Sequence, residues 1–437
     1  PLYSSAASDV YKRQLVMRST GVEKVSLEES KSYPLFDVWA KKAFLRLFSA
    51  IKVGKIVIRE LEEIYEFGSD SNQNSLVAYI NIHRSAAYRN VLFGGSIGSA
   101  EAFIGGDWSS PDLLNVIRVL IANKNVIEKL DSKKIIWKKL ILSIYGFLKK
   151  NTEQGSKKNI SAHYDIGNSF FELFLDKSMM YSSAIYPNDQ ADIDTASRNK
   201  LDHICRRLNL QESDHLLEIG TGWGGLAVHA AQYYGCRVTT TTISEEQFKY
   251  AQNRVVKAGL EDKVTLLDQD YRKLSGQYDK LVSIEMIEAV GHAYYATFFQ
   301  QCSKLLKPQG QMLLQAITIA DQQYDYARKS IDFIQRYIFP GGCLPSLSIV
   351  AQHIAKDSDM QIVGLEDITF HYAATLADWR QRFKDKEHIL IEMGYDDAFR
   401  RLWEFYFCYC EGGFRERAIS AVQFLICLLY TSDAADE

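Results

Sequence analysis

No uncharged apolar run in the 437 residues approaches the roughly 18 needed to cross a bilayer as a helix, so any membrane contact has to be peripheral. Charge of one sign is also missing. Lys and Arg number 51 against 54 Asp and Glu, a net −3 that argues against a dedicated nucleic-acid binder. The seven cysteines form no CxxC pair, which removes the usual start of a zinc or redox site, and no metal is expected. They read as mostly buried free thiols of a reducing cytoplasm. Internal repeats are absent too. What remains, 47% hydrophobic and 24% charged residues, describes an ordinary globular chain long enough for two or three domains.

The two ends read differently from the rest. "SSAASDVYKRQ" (Ser4 to Gln14) back-translates to a transposon-end sequencing adapter, and the complementary strand of the same adapter encodes "CLLYTSDAAD" (Cys427 to Asp436). Residues 1–14 and 427–437 are therefore expected to be adapter-derived and are set aside. The native part is expected to run from about Leu15 to Ile426 and to be cut short at its C-terminus.

Residues 15–130 read as a small α+β domain. "FDVWAKKAFLRLFSAI" (Phe36 to Ile51) carries apolar residues at helical spacing. The strand-like pieces "KIVIREL" and "LVAYINIH" are separated by the polar turn "GSDSNQNS". The glycine-rich stretch Gly94 to Trp108 follows, and "SSPDLLNVIRVLIANK" opens like a capped helix with Ser110 before Pro111. Residues 131–160 hold four lysine pairs around an apolar middle. They read either as a basic amphipathic segment against anionic headgroups or as a solvated helix face and linker.

From Ser161 to Ile426 short apolar strands alternate with helical stretches. The strand candidates are "HLLEIG", "RVTTTTI", "KVTLLDQD", "DKLVSIEMI" and "GQMLLQAIT"; the helices between them are expected to begin near Leu226, Glu245, Tyr294 and Ala327. The alternation implies an α/β fold, a doubly wound, mostly parallel Rossmann-like sheet with helices on both faces.

"LLEIGTGWGGLAVHAA" (Leu216 to Ala231) runs from an apolar strand through four glycines into a helix. Gly220, Gly222 and Gly225 satisfy G-x-G-x-x-G, which fits dinucleotides and S-adenosylmethionine alike. Three features move the balance, the first being Glu218, because a carboxylate two residues before the first glycine can hold the ammonium of a methionine moiety. Thr242, Ser244 and Gln247 in "TISEEQ" suit a ribose. Asp270 and Tyr271 in "DQDY" suit an adenine edge and face. The ligand read from this series is S-adenosylmethionine.

"AHYDIGNSFFELFLDKSMMYSSAIY" (Ala162 to Tyr186) resembles the donor-site lid of the cyclopropane-fatty-acyl-phospholipid synthase family. "LLEIGTGWGGLA", "TISEEQFKYAQNR", "SIEMIEAVG", "FIQRYIFPGGCLPS" and "FYFCYCEGGFRER" are similar to that family as well. Residues Pro34 to Trp108 resemble the extra N-terminal domain of its long members. The resemblance implies a donor site of Tyr181, Ser182, Glu218, Gly220, Thr221, Gly222, Trp223, Gly224, Gly225, Thr242, Ile243, Ser244, Gln247, Asp270 and Tyr271.

It also implies methyl transfer to the cis double bond of an unsaturated acyl chain in a membrane phospholipid. A bicarbonate ion would serve as base, cradled by Ser183, Glu288, Gln315, the Ile317 backbone and Tyr406. Two positions depart from the family's pattern, with Ser183 where cysteine is common and Gln315 where histidine is common. A cation that escapes deprotonation at the methyl group would give a methyl-branched or methylenated product. A sphingolipid or free fatty acid acceptor, or a non-catalytic lipid-binding homologue, are the alternatives. Tyr164, Phe170, Phe171, Phe174, Tyr337, Phe339 and Phe405 suit an acyl tunnel with Tyr181 and Tyr406. The expected setting is the cytoplasm, peripherally attached to the inner membrane face, with a homodimer as the oligomeric state considered.

Overall fold

The computed structural model describes residues 34–69, 76–124, 126, 156 and 166–428. The lysine-rich segment 133–158 apart from Ser156, Tyr164, and the terminal residues 1–14 and 429–437 lie outside the described residues. The chain divides into two compact units, residues 1–134 with 383–406 and residues 135–382 with 407–437.

The first unit carries a four-stranded sheet in the order β2-β1-β3-β4, with β1 Lys55–Glu60, β2 Glu63–Gly68, β3 Val77–Ile82 and β4 Trp108–Ser109. β2 pairs antiparallel with β1, and β3 runs parallel to it. β2 was hidden in the sequence, because none of its side chains is buried. The helix Leu35–Phe48 buries Ala40, Phe44 and Phe48, and its Asp37 accepts from Ser85 Oγ and Arg89 Nη1 at 2.8 Å each. The glycine-rich stretch belongs to the helix Ala86–Ile104, kinked at Gly95 where φ is 60°. The next helix, Leu113–Ala122, is capped by Asp112, whose carboxylate accepts from Asn115 N at 3.1 Å. The expected opening at Ser110 is thereby corrected: the Ser110 hydroxyl accepts from the Asp112 amide instead.

The second unit is built on a seven-stranded sheet, order β10-β11-β9-β8-β5-β6-β7. Its strands are β5 His215–Ile219, β6 Arg237–Thr242, β7 Val264–Asp268, β8 Tyr278–Ile284, β9 Leu306–Ile319, β10 Met360–Asp367 and β11 Ile419–Leu428. β5 through β9 run parallel, and β11 is antiparallel to both its neighbours. Both faces are covered. Leu217, Ile219, Leu281, Met312 and Leu314 feed one core, while Leu216, Val282 and Leu313 feed the other. The stretches of β5 and β9 buried on both sides read as nearly continuous apolar runs, which is why they were legible. A helix was expected to begin near Ala327, but Asp321–Ala327 ends there and the next, Phe333–Tyr337, opens with an Asp332 and Gln335 capping box. The order reverses between β5 and β8, so a crevice for ligands is expected beyond their carboxyl ends.

Candidate active site

The loops after β5 and β8 meet this expectation. Glu218 is buried near the end of β5, and Thr240 Oγ1 of the neighbouring β6 donates to its Oε2 at 2.7 Å. Thr221 Oγ1 lies 2.6 Å from the same threonine oxygen. Gly220 and Thr221 both donate their amides to Thr241 O at 3.0 Å, pinning the turn to β6. At Gly222 φ is 53° and no described atom lies within 4 Å of where a Cβ would stand, so the turn is open on that side. At Gly225 a Cβ would stand 2.7 Å from Ser178 O and 2.9 Å from Met180 Sδ. Only glycine lets the segment before Tyr181 pack against the helix start.

Burial pushes the Glu218 carboxyl up to about 8, against the pull of the Thr240 hydrogen bond and the Lys200 charge. A cation arriving beside it restores the charge. Lys200, on the helix Ile193–Arg207, is itself fully buried and donates to Ser182 Oγ at 2.5 Å. Burial pulls its ammonium down to about 8, opposed by the charges of Glu285, Asp176 and Glu218. Nothing in the sequence singled out Lys200; a lysine on an amphipathic helix reads as solvated.

Other expected donor-site groups take several roles. Trp223 turns inward, its indole N–H donating to Asn168 Oδ1 at 2.7 Å, so its backbone is what it leaves to the turn. Ser244 Oγ caps the helix Glu245–Ala258 by accepting from Gln247 N at 3.4 Å, and the Thr242 hydroxyl lies 3.1 Å from Gln247 Oε1. Ile243 links Thr242 to that cap. Asp270 is gripped by Arg272 at 2.6 Å; burial works against its charge, but the guanidinium holds it below the usual carboxylate range. The Tyr271 ring meets Phe298 edge-on at 5.6 Å. Tyr181 sits among Phe171, Trp379 and Phe339 at centroid distances of 5.4, 5.3 and 6.0 Å. Phe170, Phe171 and Phe174 are fully buried core.

Beyond β8 the expected anion cradle is arranged differently. Gln315 on β9 donates its Nε2 to Glu285 Oε1 at 2.7 Å, and the Ser183 amide donates to the same oxygen at 3.0 Å. Tyr372 donates its hydroxyl to Glu285 Oε2 at 2.7 Å. The Ser183 hydroxyl donates to Ala184 O at 2.9 Å. The Ile317 amide donates to Glu288 Oε1 at 2.5 Å, while Glu288 Oε2 is buried with no hydrogen-bond partner among the described residues. Burial and then the Glu285 charge push Glu288 up to about 8. Burial raises Glu285 as well. Tyr406 belongs to the first unit, where its ring meets Trp403 edge-on at 5.4 Å.

A bicarbonate does not fit these residues. The Gln315 and Ile317 amides expected to hold it are committed to the chain's own carboxylates and the Ser183 hydroxyl to Ala184 O, and an added anion would face two half-buried glutamates. Sequence reading passed over Glu285 although it stands in "SIEMIEAVG", three residues before Glu288. The available signal was a second acid directly after an apolar strand.

Against known proteins, residues 151–424 match the family model for mycolic acid cyclopropane synthetase. The tuberculostearic acid methyltransferase UfaA1 of Mycobacterium tuberculosis is 35% identical over 354 residues, 79% of this chain and 82% of that protein. The cyclopropane-fatty-acyl-phospholipid synthase of Escherichia coli K12 is 34% identical over 356 residues, 80% of this chain and 87% of that protein. The solved structure of mycolic acid cyclopropane synthase CmaA1 with SAH and CTAB is 29% identical, covers 62% of this chain and 98% of its own, and superposes with a TM-score of 0.58. The chain belongs to the mycolic acid cyclopropane synthetase family, as a methyltransferase that acts on lipids with S-adenosylmethionine as donor.

Proposed function

We propose that the chain transfers the methyl group of S-adenosylmethionine to the cis double bond of an unsaturated acyl chain in a membrane phospholipid, giving a cyclopropane. The similarity to the Escherichia coli cyclopropane-fatty-acyl-phospholipid synthase carries this reading, because it extends over 356 residues and so beyond the span of the family model. In the donor half, Glu218 would take the methionine ammonium under the turn from Gly220 to Gly225. Thr242, Ile243, Ser244 and Gln247 would line the ribose side, and Asp270 and Tyr271 the adenine side. Tyr181 and Ser182 would close the site. Attack by the double bond on the sulfonium methyl leaves a cation on the acyl chain, and loss of a proton from the new methyl group closes the ring. Buried acidic groups beyond β8 support the second step. No helix among the described residues is long and apolar enough to span a membrane, and the enzyme would meet its lipid from the inner membrane face.

Incubation with labelled donor and monounsaturated phospholipid vesicles tests the reading. Mass spectrometry of the fatty acids should show a gain of one methylene, with the ring methylene visible by proton NMR. Label confined to headgroup nitrogen would overturn it. The similarity to a tuberculostearic acid methyltransferase favours a second reading, a methyl-branched product, in which the mass gain includes two further hydrogens.

A further inference from the structure

We propose that the Glu285 carboxylate stands in this chain where the resemblance implied bicarbonate, and that it is the base for the transferred methyl group. The inference rests on the acyl-methylating function proposed above. Four observations carry it. The Ser183 amide, the Gln315 side chain and the Tyr372 hydroxyl converge on one carboxylate, at 3.0, 2.7 and 2.7 Å. A carboxylate offers about four lone-pair sites, so three donors leave one for a proton.

The Gln315 amide is held in the donating orientation, since its oxygen accepts from Gln423 Nε2 of β11 at 2.9 Å. Next, Glu285 has φ of 49°, a left-handed conformation that glycine adopts freely and a glutamate does not. The backbone here accommodates a side chain that its geometry disfavours, a pattern met where a site requires the group. Last, Glu288 stands beside it with its carboxyl raised to about 8 by burial and by the Glu285 charge. Two acids that interact in this way titrate as a pair rather than singly.

In the step, the electron pair of a methyl C–H bond forms the carbon–carbon bond that closes the ring onto the cationic carbon. The proton passes to Glu285, and the donor has already left as the neutral thioether. No external anion, oxidant or reductant enters.

Equilibrium dialysis of the full chain against labelled bicarbonate, at pH 8 and without lipid, tests who fills the seat. The parent should show no saturable binding, and Glu285→Gly, which relieves the left-handed strain and opens the space, should bind the ion. Saturable binding by the parent overturns the assignment, as does its absence in Glu285→Gly while that variant still binds donor. In the vesicle assay, carbonate-depleted buffer should leave the parent rate unchanged. Glu285→Gln should lose about 10²- to 10⁴-fold in turnover with donor affinity kept, and added bicarbonate should restore turnover to Glu285→Gly. A parent that slows without bicarbonate, or a Glu285→Gln variant at the parent rate, refutes the base role. If the parent labels no acyl chain at all, the proposed function fails and the base role with it. Dialysis decides the occupant of the seat in either case.

Discussion

The two halves of the site use the same residue type to opposite ends. On the β5 side, Glu218 has Thr240 as its hydrogen-bond donor, and the turn above it is glycine held open. On the β8 side, Glu285 has its oxygens engaged by Ser183, Gln315 and Tyr372. An under-coordinated buried carboxylate with a raised pKa is an invitation to a cation. A carboxylate surrounded by the chain's own donors takes the place that an added anion would fill. Lys200 answers to both halves, since its charge interacts with Glu218 and Glu285 alike. Counting donors around an acid thus separates a ligand seat from a built-in reagent.

Removing that shared counter-charge should have the largest effect. Lys200→Met leaves buried carboxylates unbalanced and should destabilise the second unit by about 3–5 kcal/mol, read from urea midpoints. A loss well under 1 kcal/mol would mean the acids are balanced by other groups.

The donor half is addressed by Glu218→Ala. Loss of a charge-assisted hydrogen bond to the methionine ammonium should weaken S-adenosylmethionine by about 1.5–3 kcal/mol, measured by calorimetry, with no change in bicarbonate binding. Equal affinity in parent and variant would remove Glu218 from the donor site.

A pH experiment sharpens the contrast further. Glu218 and Glu288 titrate from 4.5 in the unfolded chain to about 8 in the folded one, so the folded state holds protons that the unfolded state releases. Their contribution is present below the unfolded value and is lost as pH rises through about 8. Urea midpoints of the ligand-free protein should fall between pH 5 and 8, and Glu288→Gln should flatten part of that slope. Donor binding at pH 7 should release protons from Glu218, seen as a dependence of the calorimetric heat on the buffer; Glu288→Gln should leave that release intact. A release that vanishes in Glu288→Gln would move the donor-linked proton to the other half.

The smallest effect is expected outside both halves. Asp112→Ala in the first unit removes a helix cap and should lower stability by about 1 kcal/mol, with donor affinity untouched. An altered affinity would show that the donor site depends on that helix.

How legible each half was follows from the range of its contacts. The turn after β5 is local, a buried strand, glycines and a helix within sixteen residues, and it was read from sequence together with its acid. The Glu285 cluster is not local: Ser183, Tyr372 and Gln315 lie 102, 87 and 30 residues away. No periodicity links them, and the two glutamines pair only because β11 registers Gln423 against Gln315. β10 and β11 were missed for the same reason, being joined antiparallel at the edge of a sheet whose parallel core supplies the alternation. The helix Ala86–Ile104 was obscured by its own glycines, which tertiary packing overrides.

β11 is the last of the described strands, yet it lies between β9 and β10. A ribosome delivers β5 to β9 first, so the glycine turn and its acid can assemble on the emerging sheet. β10 arrives with no partner, and the gap beside β9 closes only when β11 slides in and pairs on both sides. Gln423 rides in on that strand. The Gln315 amide is held by that strand, so the acid beyond β8 depends on a later part of the chain than the donor half does.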